Sequence, residues 1–236
     1  MLDTLFPINC LGCGYDDTWL CDECLSKINF ISFQVCSHCE KVITDYGQLC
    51  KICKITAHGL DGLLVASNYK ENNIAKLVHL FKYNFIPDLH IPLGKILAKT
   101  ILTANLPLPD IIIPIPLHAR RLRFRGFNQA QLLAEYLSNQ LTPGFMIPVF
   151  SNILLRKIPT PPQMKIKKYA ERQANIRNAF GLDPKIINLI KGKNILLIDD
   201  IATTGATLNE CARMLKQNGA KKIFGTVIAR QSFDCH

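Results

Sequence analysis

Apolar positions recur along this chain with two periods. Short β-branched runs predict strands over 62–69, 111–118, 153–156 and 222–229, the second stopped by proline at its carboxyl end. Ile195 to Ile198 are four consecutive β-formers and predict a strand buried on both faces, as in a parallel sheet. Between these runs the spacing turns helical. Ile74, Leu77, Val78 and Phe81 share one face of a helix predicted over 73–84, with Lys82 at its end as a solvated cation or, alternatively, a phosphate contact. Pro87 and Pro92 bracket the start of another helix running to about Thr103, and Leu132, Leu133, Tyr136 and Leu137 mark a third. Leu208, Cys211, Ala212 and Leu215 mark a fourth, predicted to open with a capping box of Thr207 and Glu210 and to close at Gly219. Strands alternating with helices predict an α/β domain with a largely parallel sheet and flanking helices. Residues 157–168 are rich in proline and lysine and read as a loop.

The first 58 residues break this pattern. Eight of the ten cysteines fall there as four Cys-x-x-Cys pairs: Cys10/Cys13, Cys21/Cys24, Cys36/Cys39 and Cys50/Cys53. Two such pairs make one tetrahedral Cys₄ zinc site, so the segment predicts one or two structural Zn²⁺ ions. Consecutive pairing gives two stacked ribbons, and a crossed pairing satisfies the same spacing. His38 and His58 are bystanders to a full cysteine set. Few large apolar residues are present, so metal supplies much of the folding energy. The division expected is a zinc-ribbon module over 1–58 and an α/β domain over 59–236. Of the other cysteines, Cys211 is expected in the core and Cys235 as a tail thiol.

Charge follows the same division. Residues 1–60 carry four Lys/Arg against seven acids; the remaining 24 basic and 11 acidic groups give residues 61–236 a net +13. That excess suits a polyphosphate, a nucleic acid or both. No apolar run approaches a membrane span, and the first residues lack the basic start and long apolar run of a signal peptide, so a cytoplasmic location is expected.

The chemistry concentrates after the buried strand. Asp199 and Asp200 stand at its carboxyl end, where open α/β sheets place ligands. A small-residue turn, Ala202-Thr203-Thr204-Gly205-Ala206-Thr207, leads into the helix, whose first turn offers N–H groups and a positive dipole end to a phosphate. Two carboxylates would repel a bare triphosphate. Beside a sugar phosphate they accept hydrogen bonds from vicinal hydroxyls or hold Mg²⁺. Acids for the hydroxyls and a turn for the phosphate point to ribose 5-phosphate; no Walker A or GxGxxG sequence competes. A second anion site is expected where the strand over 111–118 meets Arg120, Arg121, Arg123 and Arg125, although a solvated basic loop fits those residues equally well.

Ile-Leu-Leu-Ile-Asp-Asp-Ile-Ala-Thr-Thr-Gly-Ala-Thr resembles the phosphoribosyl pyrophosphate (PRPP) loop of type I phosphoribosyltransferases, in which the acids bind ribose hydroxyls and the loop amides hold the 5-phosphate. Pro-Ile-Pro-Leu-His-x-x-Arg-Leu-Arg-x-Arg-Gly-Phe-Asn-Gln-Ala resembles the signature of the ComF family, which joins an N-terminal zinc module to a phosphoribosyltransferase fold. By that resemblance Leu117 and His118 contact pyrophosphate. Arg156, Thr160, Gln163, Arg172 and Asn175 correspond to a lid, with the gap from Gln163 to Arg172 one residue longer than the family pattern. The resemblance implies Mg²⁺–PRPP or a related ribose phosphate as ligand. It also implies a role in handling single-stranded DNA during uptake for transformation, beside uptake machinery at the inner membrane. Arg120, Arg121, Arg123, Arg125 and an aromatic among them, Phe124 or Phe127, are the nucleic-acid contacts expected. A working phosphoribosyltransferase on an unnamed base or amine, and a docking protein that senses PRPP, are the alternative expectations.

Overall fold

The structure, a computed structural model, describes residues 8–159, 176 and 179–230. Its strands are β1 (Gly62–Asn68), β2 (Ile111–Pro114), β3 (Leu154–Arg156), β4 (Phe180–Leu182), β5 (Asn194–Ile198), β6 (Ile201–Ala202) and β7 (Lys222–Arg230). The main sheet runs β1-β7-β5-β2, with β6 also on β7, and every pairing in it is parallel. Parallel neighbours need crossovers, and the helical runs supply them. β3 and β4 form a separate antiparallel ribbon that sets Arg156 opposite Phe180.

The helices are α1 (Asp22–Ser26), α2 (Cys53–Thr56), α3 (Asn72–Tyr83), α4 (His90–Thr103), α5 (Ala119–Arg125), α6 (Gln129–Gln140) and α7 (Ala206–Gln217). α3, α4 and α6 bury their apolar stripes on one face of the sheet, and α7 covers the other. Gly94 lets α4 and α6 meet closely, since a Cβ there would lie 2.3 Å from the Tyr136 ring. Ile195 to Ile198 have no measurable exposure, as expected of a strand covered on both faces. Cys211 is buried in the α7 face.

Three expectations change. α7 begins at Ala206, not after Thr207. Its N-cap is Gly205 at φ 70°, a left-handed turn that glycine adopts without steric cost. Thr207 therefore lies inside the first turn, and Glu210 pairs with Arg213 at 2.8 Å instead of reaching back. The arginine stretch after β2 is helix α5, not a loop. The His118 side chain accepts from the Arg120 N–H at its start, and left-handed Gly126 ends it. Lys82 is not solvated, as described below.

The N-terminal module lies along the open edge of β1. Gln34 imitates a strand there: its Nε2 donates to the Val65 carbonyl and its Oε1 accepts from the Val65 N–H, both at 3.0 Å. Ile31 N–H donates to Ala66 and Leu49 N–H to Asp61. An exposed parallel edge is a template for unwanted pairing, and these bonds cover it. Among the described residues no helix is long and apolar enough to cross a membrane.

Candidate functional site: a mixed-charge cleft and two cysteine clusters

A cleft of about 150 Å³ opens at the carboxyl ends of β2 and β5. Asp199, Asp200, Thr203 and Thr207 line one wall, Ile115, Pro116 and Leu117 another. Lys82, Arg121, Arg125 and Arg156 also line it, so four cations and two carboxylates share the space. β5 delivers the acids, β6 and the following turn deliver the threonines, and α3 and α5 bring cations from the opposite side.

Lys82 Nζ lies 2.9 Å from Asp200 Oδ1, and both side chains are largely buried. Asp200 Oδ1 also accepts from the Ile201 N–H at 2.7 Å, and Asp199 Oδ1 accepts from the Asp200 N–H at 2.9 Å. Burial, and then the neighbouring Asp200 charge, push Asp199 up to about 7; Lys82 and Arg156 pull the other way. The cations are stressed in the opposite sense. Burial and then Arg121 lower Arg156, with Asp199 partly compensating, while burial and then Arg125 lower Arg121. A guanidinium drawn down by burial and a like neighbour gains from an anion placed between the two.

The expected site residues divide. Asp199, Asp200, Thr203, Thr207, Leu117, Arg156, Arg121 and Arg125 meet at the cleft. Thr204 and Ala206 line a hollow on the far side of the turn, with His38, Glu40 and His58. Ala202 is buried in the sheet opposite Arg230, and Gly205 makes the turn. His118 caps α5 and is not among the cleft-lining residues. Arg120 and Arg123 project from α5 into solvent. Phe127 turns inward onto Phe81 at 5.6 Å between centroids, whereas Phe124 is 76% exposed and meets Phe85 edge-on. Thr160, Gln163, Arg172, Asn175 and Cys235 lie outside the described residues.

Sequence reasoning missed Tyr83, Asn128 and Gln129 as lining residues, and it offered a phosphate contact for Lys82 only as the alternative to a solvated cation. For Lys82 a signal existed. It stands four residues after Val78, on the stripe that α3 buries, and a lysine on a buried stripe needs a partner. Gln129 is buried, accepts from Arg125 Nη1 and donates to the Phe81 carbonyl, which ties α3, α5 and α6 together behind the cleft.

The cysteines gather in consecutive pairs: Cys10, Cys13, Cys21 and Cys24 in one cluster, Cys36, Cys39, Cys50 and Cys53 in the other. Within each, the sulfurs lie within 4.8 Å of one another. Cys13 and Cys21 Sγ are 3.7 Å apart, close to the ~3.8 Å edge of a tetrahedron with ~2.3 Å zinc–sulfur bonds. Burial pushes Cys10 up, but the Cys21, Cys13 and Gly12 amides outweigh it and leave the thiol at about 6; Cys36 reaches about 6 in the same way through Cys39, Cys50 and His38. Burial and adjacent thiols push Cys24 and Cys53 to about 12. Such crowding of incipient thiolates is what a dication relieves, and the donor sets fit two structural zinc ions.

Residues 1–54 match the double zinc ribbon domain and residues 130–232 the phosphoribosyl transferase domain. The chain is 33% identical to Competence protein F of Haemophilus influenzae over 92% of this chain and 95% of that one. It is 32% identical to Competence protein ComFC of Bacillus subtilis over 86% and 80%. It is 29% identical to DNA utilization protein YhgH of Salmonella typhi over 86% and 93%. A glutamine PRPP amidotransferase from B. subtilis overlaps 63% of this chain and 30% of its own, at TM-score 0.40 and 18% identity, so the chain spans under a third of that protein. Ribbon, arginine helix, acidic strand end and threonine turn follow one another in a single polypeptide, and with these full-length similarities the chain belongs to the ComF family of competence proteins, a double zinc ribbon joined to a phosphoribosyl transferase domain.

Proposed function

We propose that the cleft binds PRPP, or a related ribose phosphate, with Mg²⁺, and that the protein uses this site in handling single-stranded DNA during uptake for transformation. The observation that carries the reading is the meeting of Asp199 and Asp200 with four cations in one cleft. A ligand satisfying both signs must present a diol and phosphates on one small scaffold, as PRPP does. Asp199 and Asp200 accept from the ribose hydroxyls and would hold Mg²⁺, whose charge offsets that of the pyrophosphate. The segment from Ala202 to Thr207 takes the 5-phosphate. The backbone at Leu117 and His118 takes the pyrophosphate, joined by Arg121, Arg125 and Arg156 and, by the family resemblance, Arg172. Lys82 leaves Asp200 as the hydroxyls arrive and turns to the phosphates.

Names of the relatives, competence and DNA utilization, support the DNA part, as does the outer face of α5, where Arg120 and Arg123 flank exposed Phe124. Bases stack on such an aromatic while arginines follow the backbone. Residues 1–58 and 59–236 act as one unit in the cytoplasm, beside uptake machinery at the inner membrane.

Calorimetry with Mg²⁺–PRPP tests the site. The double variant Asp199→Asn, Asp200→Asn loses about 100-fold or more in affinity, two charged acceptors being removed, while both zinc ions stay bound. Unchanged affinity refutes the assignment. In the same preparation, labelled single-stranded DNA binds with strong salt dependence, and Arg120→Ala with Arg123→Ala reduces the log–log slope by about 1.4. Affinity that ignores salt contradicts the arginine face.

A further inference from the structure

We infer that the second zinc ribbon positions the phosphate-side turn of the cleft, with Glu40 and Arg230 as the positioning residues. The inference rests on the ribose-phosphate reading of that turn and gives the ribbon a part in ligand binding. Arg230 ends β7, opposite Ala202 and Asn68. A strand-end arginine is ordinarily free to reach solvent. This one is 17% exposed and donates to two partners from two of its guanidinium nitrogens. Its Nε donates to the Thr203 carbonyl at 3.2 Å, and its Nη2 donates to Glu40 Oε1. The guanidinium is a rigid plane, so holding Nη2 restrains where Nε points.

Glu40 is itself held by the zinc knuckle. It follows Cys39 directly, its backbone is left-handed at φ 58°, and its N–H donates to the Cys36 carbonyl at 2.9 Å. The turn that brings Cys36 and Cys39 together therefore also places the Glu40 carboxylate. A second tie holds the other end of the cleft turn. Asn209 Nδ2 donates to the Gly205 carbonyl at 3.2 Å, and its Oδ1 accepts from the Leu60 N–H at 3.3 Å, on the chain just leaving the ribbon. Gly59 permits that approach, since a Cβ there would lie 2.5 Å from Asn209 Oδ1. The carbonyls of Thr203 and Gly205 are thus each linked through one side chain, Arg230 or Asn209, to the ribbon or to the chain just leaving it. In a trans peptide the N–H points opposite its carbonyl, so anchoring the Thr203 carbonyl orients the Thr204 N–H, one of the donors available to a phosphate.

The probe is ribose 5-phosphate, titrated by calorimetry into the full zinc-loaded chain. Glu40→Ala and Arg230→Lys each weaken binding by about 5- to 10-fold, the loss of one charge-assisted bond. Lysine donates to Thr203 or to Glu40 but does not span both. Glu40→Gln, which keeps an acceptor, stays within about 2-fold, and Glu40→Ala combined with Arg230→Lys is no weaker than Arg230→Lys alone. Two zinc ions per chain and an unchanged melting temperature accompany these results, so a general loss of folding does not produce them. Arg230→Lys lies outside the ribbon and tests the tie even if Glu40→Ala disturbs the knuckle. Wild-type affinity in both Glu40→Ala and Arg230→Lys, or fully additive losses in the double variant, overturns the inference and leaves the ribose-phosphate site standing. A wild-type chain that binds no ribose 5-phosphate removes both.

Discussion

The two cysteine clusters have the same ligands and the same knuckle spacing, yet they are built into the molecule differently. Cys10 and Cys24 belong to the large core beneath α3, α4 and α6, together with Leu20 and Ile28. Gly12 is pressed so close that a Cβ there would lie 2.6 Å from Cys24 Sγ, with Asn73 of α3 next nearest. The second cluster has a small core of its own, Cys36, Leu49, Cys50 and Cys53, and leaves Ile52 and Ile55 about four-fifths exposed. It reaches the domain mainly through polar ties, Gln34 to β1, Leu49 to Asp61 and Glu40 to Arg230, beside the edge-on contact of Tyr46 with Phe224. Zinc coordination alone therefore does not decide what a zinc site supports. Continuity of apolar packing spreads the stabilisation, and polar ties keep it local while letting the module aim particular groups.

Removing one ligand from each cluster separates the two ribbons most strongly. Cys24→Ser lowers the main thermal transition by about 10 °C or more, because a lost structural metal is compounded by disruption of the shared core. Cys50→Ser leaves that transition within about 3 °C and raises hydrogen exchange chiefly over 34–57. Metal analysis shows one zinc in each variant; equal melting losses would erase the distinction.

A smaller effect ties the cleft to the same cooperative unit as the first ribbon, since Leu196 and Ile198 of β5 share its core. Folding raises Asp199 from 3.8 to about 7. Between those values the folded chain keeps a proton that the unfolded chain has released. Stability from this group therefore falls as pH rises through the window and stays lost above it. Asp199→Asn accordingly raises the main transition by several degrees at about pH 8 and hardly at all at about pH 4. A gain confined to acid pH would contradict the burial assigned to this carboxyl.

The smallest effect belongs to the edge of β1. Gln34→Ala removes two part-buried hydrogen bonds and costs about 1–2 kcal/mol. It should appear as faster exchange in the second ribbon with the first unchanged. Equal acceleration in both would mean that the two ribbons open together.

Much of this was legible in the sequence. Cysteine spacing announced two zinc knuckle pairs, apolar periods located α3, α4 and α6, and the doubly buried run placed β5 with its acids at the carboxyl end of the sheet. These are local signals, because period and spacing act within one or two turns of chain. The capping box failed because the tight exit from β6 needed the left-handed residue that only Gly205 supplies cheaply, which moved the start of α7. His118 was drawn into capping α5 because an exposed helix start needs an acceptor close by in sequence.

Residue type, spacing and period specify the parts: the zinc ligands, the strand-end acids, the threonine turn and the arginines. Which pairs meet emerges with the folded chain, which sets Lys82 on Asp200, Phe127 inward and Phe124 outward, and Glu40 against Arg230 across 190 positions of chain. The physical reason is range. A thiolate pair or a helical stripe is specified by neighbours a few residues away, whereas the partner of a buried charge is whichever opposite charge the completed packing brings within about 3 Å.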